Sequence, residues 1–241
     1  MNTRFSGFGS KRKAQSTITL AYQSQSTRTC SRQNPLVNIF TNTSEEFMSS
    51  REYTKHSDLP SVTQVLAPYS GYDKIPPWHL EKAAERGTVV HEHLAAYALG
   101  QWAPAPILEY SGYVQSGTMW LDAFMDEAIM VEEELEDKEL GYCGHPDLMI
   151  KSKKLGGVIH IDYKTPVAVH RKVWGCQLSA YGRLAMANSY PAADRFGSLR
   201  LSASGRMAKF DEFSDNRIAY WGAFFAALAA HRFFTEVPKN H

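Results

Sequence analysis

Cysteine is scarce in this chain, and the three residues present, Cys30, Cys143 and Cys176, stand far apart. An odd number with no close pair argues against a disulfide framework and against an iron–sulfur cluster held by four thiolates, and it favours a reducing compartment. No apolar run approaches the roughly 20 residues that span a bilayer, so no membrane segment is expected. A dominant charge is missing too: 26 Lys and Arg against 25 Asp and Glu leave a formal net charge of +1. Any affinity for nucleic acid must then come from a local basic patch. The zinc-hydrolase pattern HExxH is also absent. His91 and His93 flank Glu92 but are two residues apart, so on a helix they diverge by about 200°. His93 is expected to face solvent.

Acidic residues do not appear before Glu45, while Arg4, Lys11, Arg12, Lys13, Arg28 and Arg32 do. Residues 1–55, rich in Ser, Thr, Asn and Gln, therefore read as a disordered basic tail. An organelle transit peptide and a segment that tracks phosphates are the alternatives. The expected location is the cytoplasm of a bacterium or a phage-infected host, or the mitochondrion if the tail is a transit peptide. With 241 residues and 44% hydrophobic content, the chain can bury one sizeable core, assigned to residues 56–241.

Within that core domain, Ser61 is placed to cap a short helix carrying Val62, Val65 and Leu66. A second helix is expected after Pro76-Pro77, with apolar residues at helical spacing from Trp78 to Leu99. Residues 101–111 read as a loop and 114–130 as a helix whose buried side holds Trp120, Leu121, Phe124 and Ile129. The sheet is expected to begin at residues 131–135. Further on, a strand over 198–202 and a partner over 207–213 precede a closing helix over 216–234. That helix is apolar at Ile218, Trp221, Phe224, Phe225 and Leu228, which reads as core packing, with an oligomer face left open.

The chemistry concentrates in residues 141–181. Leu148–Ile150 and the β-branched run from Val158 to Tyr163 read as two strands joined by a turn containing Gly156-Gly157. Side chains alternate along a strand, so Asp162 and Lys164 share a face. Pairing as a hairpin brings Asp147 alongside them. Two carboxylates and an amine then converge at one edge, and that pattern alone indicates a carboxylate–metal hydrolase. A helix over 169–188 places Gln177 and Tyr181, four apart, on one face.

Gly144-x-x-Asp147, Asp162-x-Lys164 and Gln177-x-x-x-Tyr181, in this order, resemble the PD-(D/E)XK nucleases, in particular their RecB-type exonuclease branch. Arg86-Gly87-Thr88-Val89-Val90-His91 resembles the RGTxxH motif of that branch. Pro60-Ser61-Val62-Thr63 followed by Leu66 is similar to the entry helix of its members, which include the mitochondrial genome maintenance exonucleases and phage and bacterial relatives. The likeness runs from about Leu59 to Tyr181. It implies an α/β fold with a restriction-endonuclease-like core, a mixed central β-sheet flanked by α-helices.

The resemblance also implies a site. Asp147, Asp162, Lys164, Gln177 and Tyr181 form the catalytic set, and Mg²⁺ or Mn²⁺ is held by Asp147, Asp162, the Tyr163 carbonyl, His91 and a glutamate, for which register favours Glu132 over Glu133 and Glu134. Lys164 is expected to contact the attacking water or the scissile phosphate and, beside a cation, to help deprotonate that water. Arg86, Lys151, Lys153, Lys154, Arg171 and Lys172 are the candidate DNA-binding residues. The implied activity is metal-dependent exonucleolytic cleavage of DNA from single-stranded or free ends, in replication, repair or recombination. A structure-specific endonuclease and a non-catalytic nucleic-acid-binding module are the alternatives.

Overall fold

The computed structural model describes residues 58–165 and 169–235; the expectations for residues 1–55 lie outside the described residues. Helix α1 (Val62–Ser70) starts where the sequence predicts, because Ser61 and Gln64 satisfy each other's free backbone groups. Gln64 N–H donates to Ser61 Oγ at 3.2 Å and Ser61 N–H to Gln64 Oε1 at 2.9 Å, a reciprocal cap. The helix stops at Gly71, whose φ of 71° suits a residue without a side chain. Helix α2 (Pro77–Ala98) follows, with proline at its first position, where no hydrogen bond is lost.

Five strands form the main sheet: β1 (Glu127–Val131), β4 (Leu148–Lys151), β5 (Val158–Lys164), β6 (Arg195–Arg200) and β7 (Lys209–Glu212), in the order β1-β4-β5-β6-β7. Neighbours are antiparallel except β5 and β6, which run parallel. A parallel neighbour requires a crossover, and helix α4 (Arg171–Ala187) supplies it. Strands β2 (Leu135–Asp137) and β3 (Tyr142–Gly144) pair as a separate small ribbon. The architecture is thus α/β, with a mixed sheet flanked by helices.

Strand β5 is buried along its five central residues, and its alternation sorts its neighbours. Ile159, Ile161 and Tyr163 pack with Val90 and Leu94 of α2 and with Trp120 and Leu121 of helix α3 (Leu108–Phe124). On the other face, Met149 packs with Val65 and Leu66 of α1, Tyr181 and Leu184 of α4, and Phe224 and Leu228 of helix α5 (Arg217–Thr235). His160, Asp162 and Lys164 alternate with the first set, so the polar chemistry of β5 belongs to the α4 side. No helix among the described residues is long and apolar enough to cross a membrane.

The strand expected over 198–202 runs from Arg195 to Arg200 and its partner from Lys209 to Glu212, and two boundaries around β1 differ further from expectation. The helix expected over 114–130 runs from Leu108 to Phe124, and Ile129 and Met130 belong to β1. Helical spacing and strand alternation are not separable in a short apolar run such as Ala128-Ile129-Met130-Val131, and pairing with β4 decides it. The sheet also begins earlier than 131–135: β1 ends at Val131, and Glu132 turns the chain out with a φ of 48°.

Gly144 makes the packing of α4 on β3 sensitive to one methyl group. A Cβ there would lie 2.7 Å from the Tyr181 ring and 3.0 Å from Leu184 Cδ1. Gly144→Ala is expected to lower stability by about 1–3 kcal/mol. Urea denaturation checks this as a lower midpoint at unchanged slope, whereas an unchanged midpoint would mean that α4 moves aside freely.

Candidate metal centre

The register of the β4–β5 hairpin builds the site. Leu148 pairs with Ile161, so Asp147, one residue earlier, stands beside Asp162 at the end of the two strands. Asp147 Oδ2 accepts the Tyr163 amide at 2.6 Å, which fixes the carboxylate against the strand backbone. Two residues along the same face, Lys164 Nζ lies 2.6 Å from Asp162 Oδ2. Helix α4 completes that pair: Lys164 Nζ donates to Gln177 Oε1 at 3.1 Å, and Gln177 Nε2 donates to Tyr181 Oη at 3.2 Å. The Trp174 ring, 5.9 Å from Nζ, adds a cation–π contact.

The second half of the centre comes from α2 and from the turn after β1. His91 Nδ1 lies 3.3 Å from Glu132 Oε1 and 3.5 Å from Asp147 Oδ1. One ligand atom from each of His91, Glu132 and Asp147 lies within 4.8 Å of the other two, a spacing a single cation can bridge. Glu132 reaches this position through a left-handed backbone, φ 48°, that a residue with a side chain seldom adopts. Its amide is pinned to the Asp147 carbonyl at 2.9 Å. Its Oε1 is buried, with His91 Nδ1 3.3 Å away as its partner. A strained backbone that delivers a buried carboxylate into an acidic cluster fits a cation ligand. One imidazole nitrogen and two carboxylate oxygens suit Mg²⁺ or, with the nitrogen, Mn²⁺.

Burial and neighbouring charge set the protonation of these groups. Burial raises the Asp147 carboxyl to about 6 against the pull of His91. Burial raises Asp162 likewise to about 6 against the pull of Lys164. For His91, burial favours the neutral ring, but Asp147 and Glu132 together outweigh it and raise the imidazole to about 9. For Lys164, burial again favours the neutral amine, and Asp162 and Asp147 overcome it, so its pKa is raised. Without a metal, then, His91 is an imidazolium and Lys164 an ammonium at neutral pH.

Among the other sequence-predicted residues, Tyr163 contributes its amide to Asp147 and its ring edge to His91, with centroids 5.4 Å apart. Arg86 is bound to Thr165, the residue after Lys164, through Nε to Oγ1 and Nη2 to the carbonyl, both at 3.1 Å. Of the three glutamates, Glu133 instead meets the Tyr190 hydroxyl at 2.5 Å.

The lysines of the hairpin turn are not at the site. Val158 pairs with Lys151, and Asp162 lies four positions further along the strand, about 13 Å at the usual rise. Lys154 there caps the Ala123 carbonyl and lies over Phe124. A hairpin turn and the strand ends opposite it are far apart, so closeness in sequence misleads for Lys151, Lys153 and Lys154. Arg171 bonds the Glu212 carbonyl and stacks on Phe213, 4.8 Å away, while Lys172 is exposed on the first turn of α4. His93 is buried rather than solvated, its Nδ1 2.7 Å from the Val89 carbonyl and its Nε2 3.0 Å from the Pro104 carbonyl. The loop after α2 folds back over that side of the helix and covers it.

Ser198, Trp174 and Thr165 were not anticipated. Ser198 lies opposite Asp162 in the parallel register, with Oγ 3.5 Å from Oδ2. Nothing local in the sequence announces a parallel neighbour. Trp174 had a usable signal, since it precedes Gln177 by three residues and shares its helix face. No protein-family model matches the chain, and no curated protein matches it.

The pKa shifts define a pH window. A group raised in the fold stabilises fully below its ordinary pKa and loses that contribution as pH climbs through the raised value. Asp147 and Asp162 therefore withdraw stability between about 4 and 6, where His160 opposes them: burial lowers its pKa from 6.5 to about 4, so it returns stability as pH rises. From pH 6.5 to 9, among the described residues, the withdrawal by His91 remains. In chelator, stability is expected to fall by about 1–3 kcal/mol across that window. Urea titrations at each pH measure it, and His91→Gln is expected to flatten the slope; an unaltered slope would assign it elsewhere.

Proposed function

We propose that this chain is a divalent-metal-dependent deoxyribonuclease of the PD-(D/E)XK kind, acting as an exonuclease from single-stranded or free DNA ends. The observation that carries this reading is the convergence of His91, Glu132 and Asp147 beside the Asp162–Lys164 pair at the end of two central strands. His91, Glu132 and Asp147 would hold the cation, with Asp162 adjoining. When bound, it would supply an activated water near neutral pH and offset charge on the phosphoryl oxygens.

The chain's own residues have distinct parts in this reading. His91 must shed its proton before its nitrogen serves as a ligand, so cation affinity rises with pH. Lys164 is positioned by Asp162, Gln177 and Trp174 as an ammonium. In that state it cannot accept a proton, and it acts by donating to a phosphoryl oxygen as charge builds there. The neutral amine would be favoured instead beside a bound cation, and that is the form the water-deprotonating role expected from the sequence needs. Tyr181, whose pKa burial raises, stays a neutral hydroxyl and braces Gln177. Arg86 on Thr165, and Lys172 at the start of α4, are the basic residues best disposed to meet the DNA backbone near the site. A reducing compartment fits the chemistry: the cytoplasm, or the mitochondrion if residues 1–55 are removed on import, which an import assay reads.

Asp147→Asn and Lys164→Ala are each expected to reduce cleavage of labelled linear DNA by roughly 100- to 1,000-fold, with an unchanged circular dichroism spectrum. Single- and double-stranded substrates labelled at either end, with Mg²⁺ or chelator, read mode and polarity. Cleavage of covalently closed circles would replace the exonuclease by an endonuclease. Binding with no metal-dependent cleavage would leave a non-catalytic module.

Glu132→Gly separates ligand from scaffold. Glycine relieves the left-handed strain but loses the contact with His91, so the variant is expected to melt close to the parent in chelator. It is also expected to lose the rise in melting temperature that Mn²⁺ gives the parent. A preserved Mn²⁺ shift would exclude Glu132 as a ligand.

A further inference from the structure

Helix α5 carries no charged residue between Arg217 and Arg232. One side is accounted for: Phe224, Ala227 and Leu228 are in the core, with Tyr220 and Trp221 packed against it. The opposite side bears Ile218, Gly222, Phe225, Ala226, Ala229 and Phe233, all exposed. At about 100° per residue these six fall within an arc of about 100°, a continuous apolar stripe along the helix. Ile218 is 88% exposed, Phe233 79% and Phe225 47%. A helix on the surface of a soluble domain normally sets its charged residues there. The stripe also departs from the sequence-based expectation of core packing, since Ile218 and Phe225 point away from the core.

We infer that this face of α5 is a two-fold interface with a second copy of the chain. The pattern is complementary to itself. Turning one helix end over end about an axis between Phe225 and Ala226 sets Ile218 against the partner's Phe233. The same rotation sets Gly222 against the partner's Ala229 and Phe225 against the partner's Ala226. Every residue of the stripe meets a member of the stripe, the defining property of an isologous contact. Glycine and alanine at the middle positions let two helices approach to the roughly 8–10 Å of close packing, and each Phe225 fills the space beside the partner's Ala226.

Area agrees. Each phenylalanine buries roughly 150–250 Å² when covered. Scaled by their exposure, Phe225 and Phe233 supply roughly 200–300 Å², and Ile218 with the small residues brings the face to about 500 Å² per copy. Two copies then reach the ~1,000 Å² expected of a biological contact. A membrane surface fits less well, because an interfacial helix needs a basic face turned to water, and the reverse side of α5 is in the core.

The test is the mass of the full chain in solution. Sedimentation at about 50 µM is expected to give twice 27.1 kDa. Phe225→Glu is expected to weaken self-association by roughly 100-fold and return the chain to 27.1 kDa, with its helical spectrum intact. Independently of how that variant folds, Gly222→Cys mixed with Ala229→Cys is expected to form a disulfide between copies under mild oxidation, identified by mass spectrometry of the linked peptides. Gly222→Cys mixed with Lys138→Cys is expected not to. A wild-type chain that stays monomeric overturns the inference, whether its own N-terminal residues or lipid vesicles cover α5. A dimer that survives Phe225→Glu, or one that cross-links equally through Lys138→Cys, overturns it too.

Discussion

Burial of several like charges at one point is the constraint around which this molecule is organised. Glu132, Asp147 and Asp162 bring three carboxylates to the ends of β4 and β5, where solvent is largely excluded. Such a cluster is costly unless something balances it. Lys164 balances one carboxylate by direct contact and His91, protonated, a second. Counted with a neutral His91, three carboxylates and one ammonium leave a charge of two negative units, which a divalent cation would match. Burial raises both aspartates, while the neighbouring carboxylates raise the imidazole, so the site gains from added positive charge.

The scaffold is arranged to hold that cluster in place. Two of the three acidic groups are anchored through the backbone, Asp147 by the Tyr163 amide and Glu132 by its own amide on the Asp147 carbonyl, while Asp162 is held by Lys164 and Ser198. Helix α4 connects the parallel strands β5 and β6 and also carries the Gln177–Tyr181 brace that reaches Lys164. The close approach of Gly144 to Tyr181 lets that helix sit tightly against the ribbon. Topology and chemistry thus share elements, and the left-handed backbone of Glu132 places strain at the site.

The outward face of α5 follows a different logic. Its buried side completes the core around Tyr142 and Phe224, whose rings lie 5.1 Å apart. Its exposed side has apolar character that monomer packing does not require. Sequence periodicity could not separate the two sides, because the helix is apolar on both; only the position of α1 and α4 against one of them does so.

Local chemistry was legible where it is written in neighbouring residues. The Ser61 cap, the turn at Gly156-Gly157, the strand alternation that groups Asp162 with Lys164, and the helical pairing of Gln177 with Tyr181 all follow from short-range spacing. The convergence of Asp147 on Asp162 followed as well, since a hairpin fixes its own register. Tertiary structure alone decided the rest. Ser198 meets Asp162 only through a parallel pairing across a crossover, His93 is buried by a distant loop, and the turn lysines are carried away from the site by the length of the hairpin. Glu132, which the resemblance already favoured over Glu133 and Glu134, is delivered to the site by a backbone turn that no propensity favours. Spacing in a chain constrains what lies within one element; distances between elements depend on how their buried faces pack.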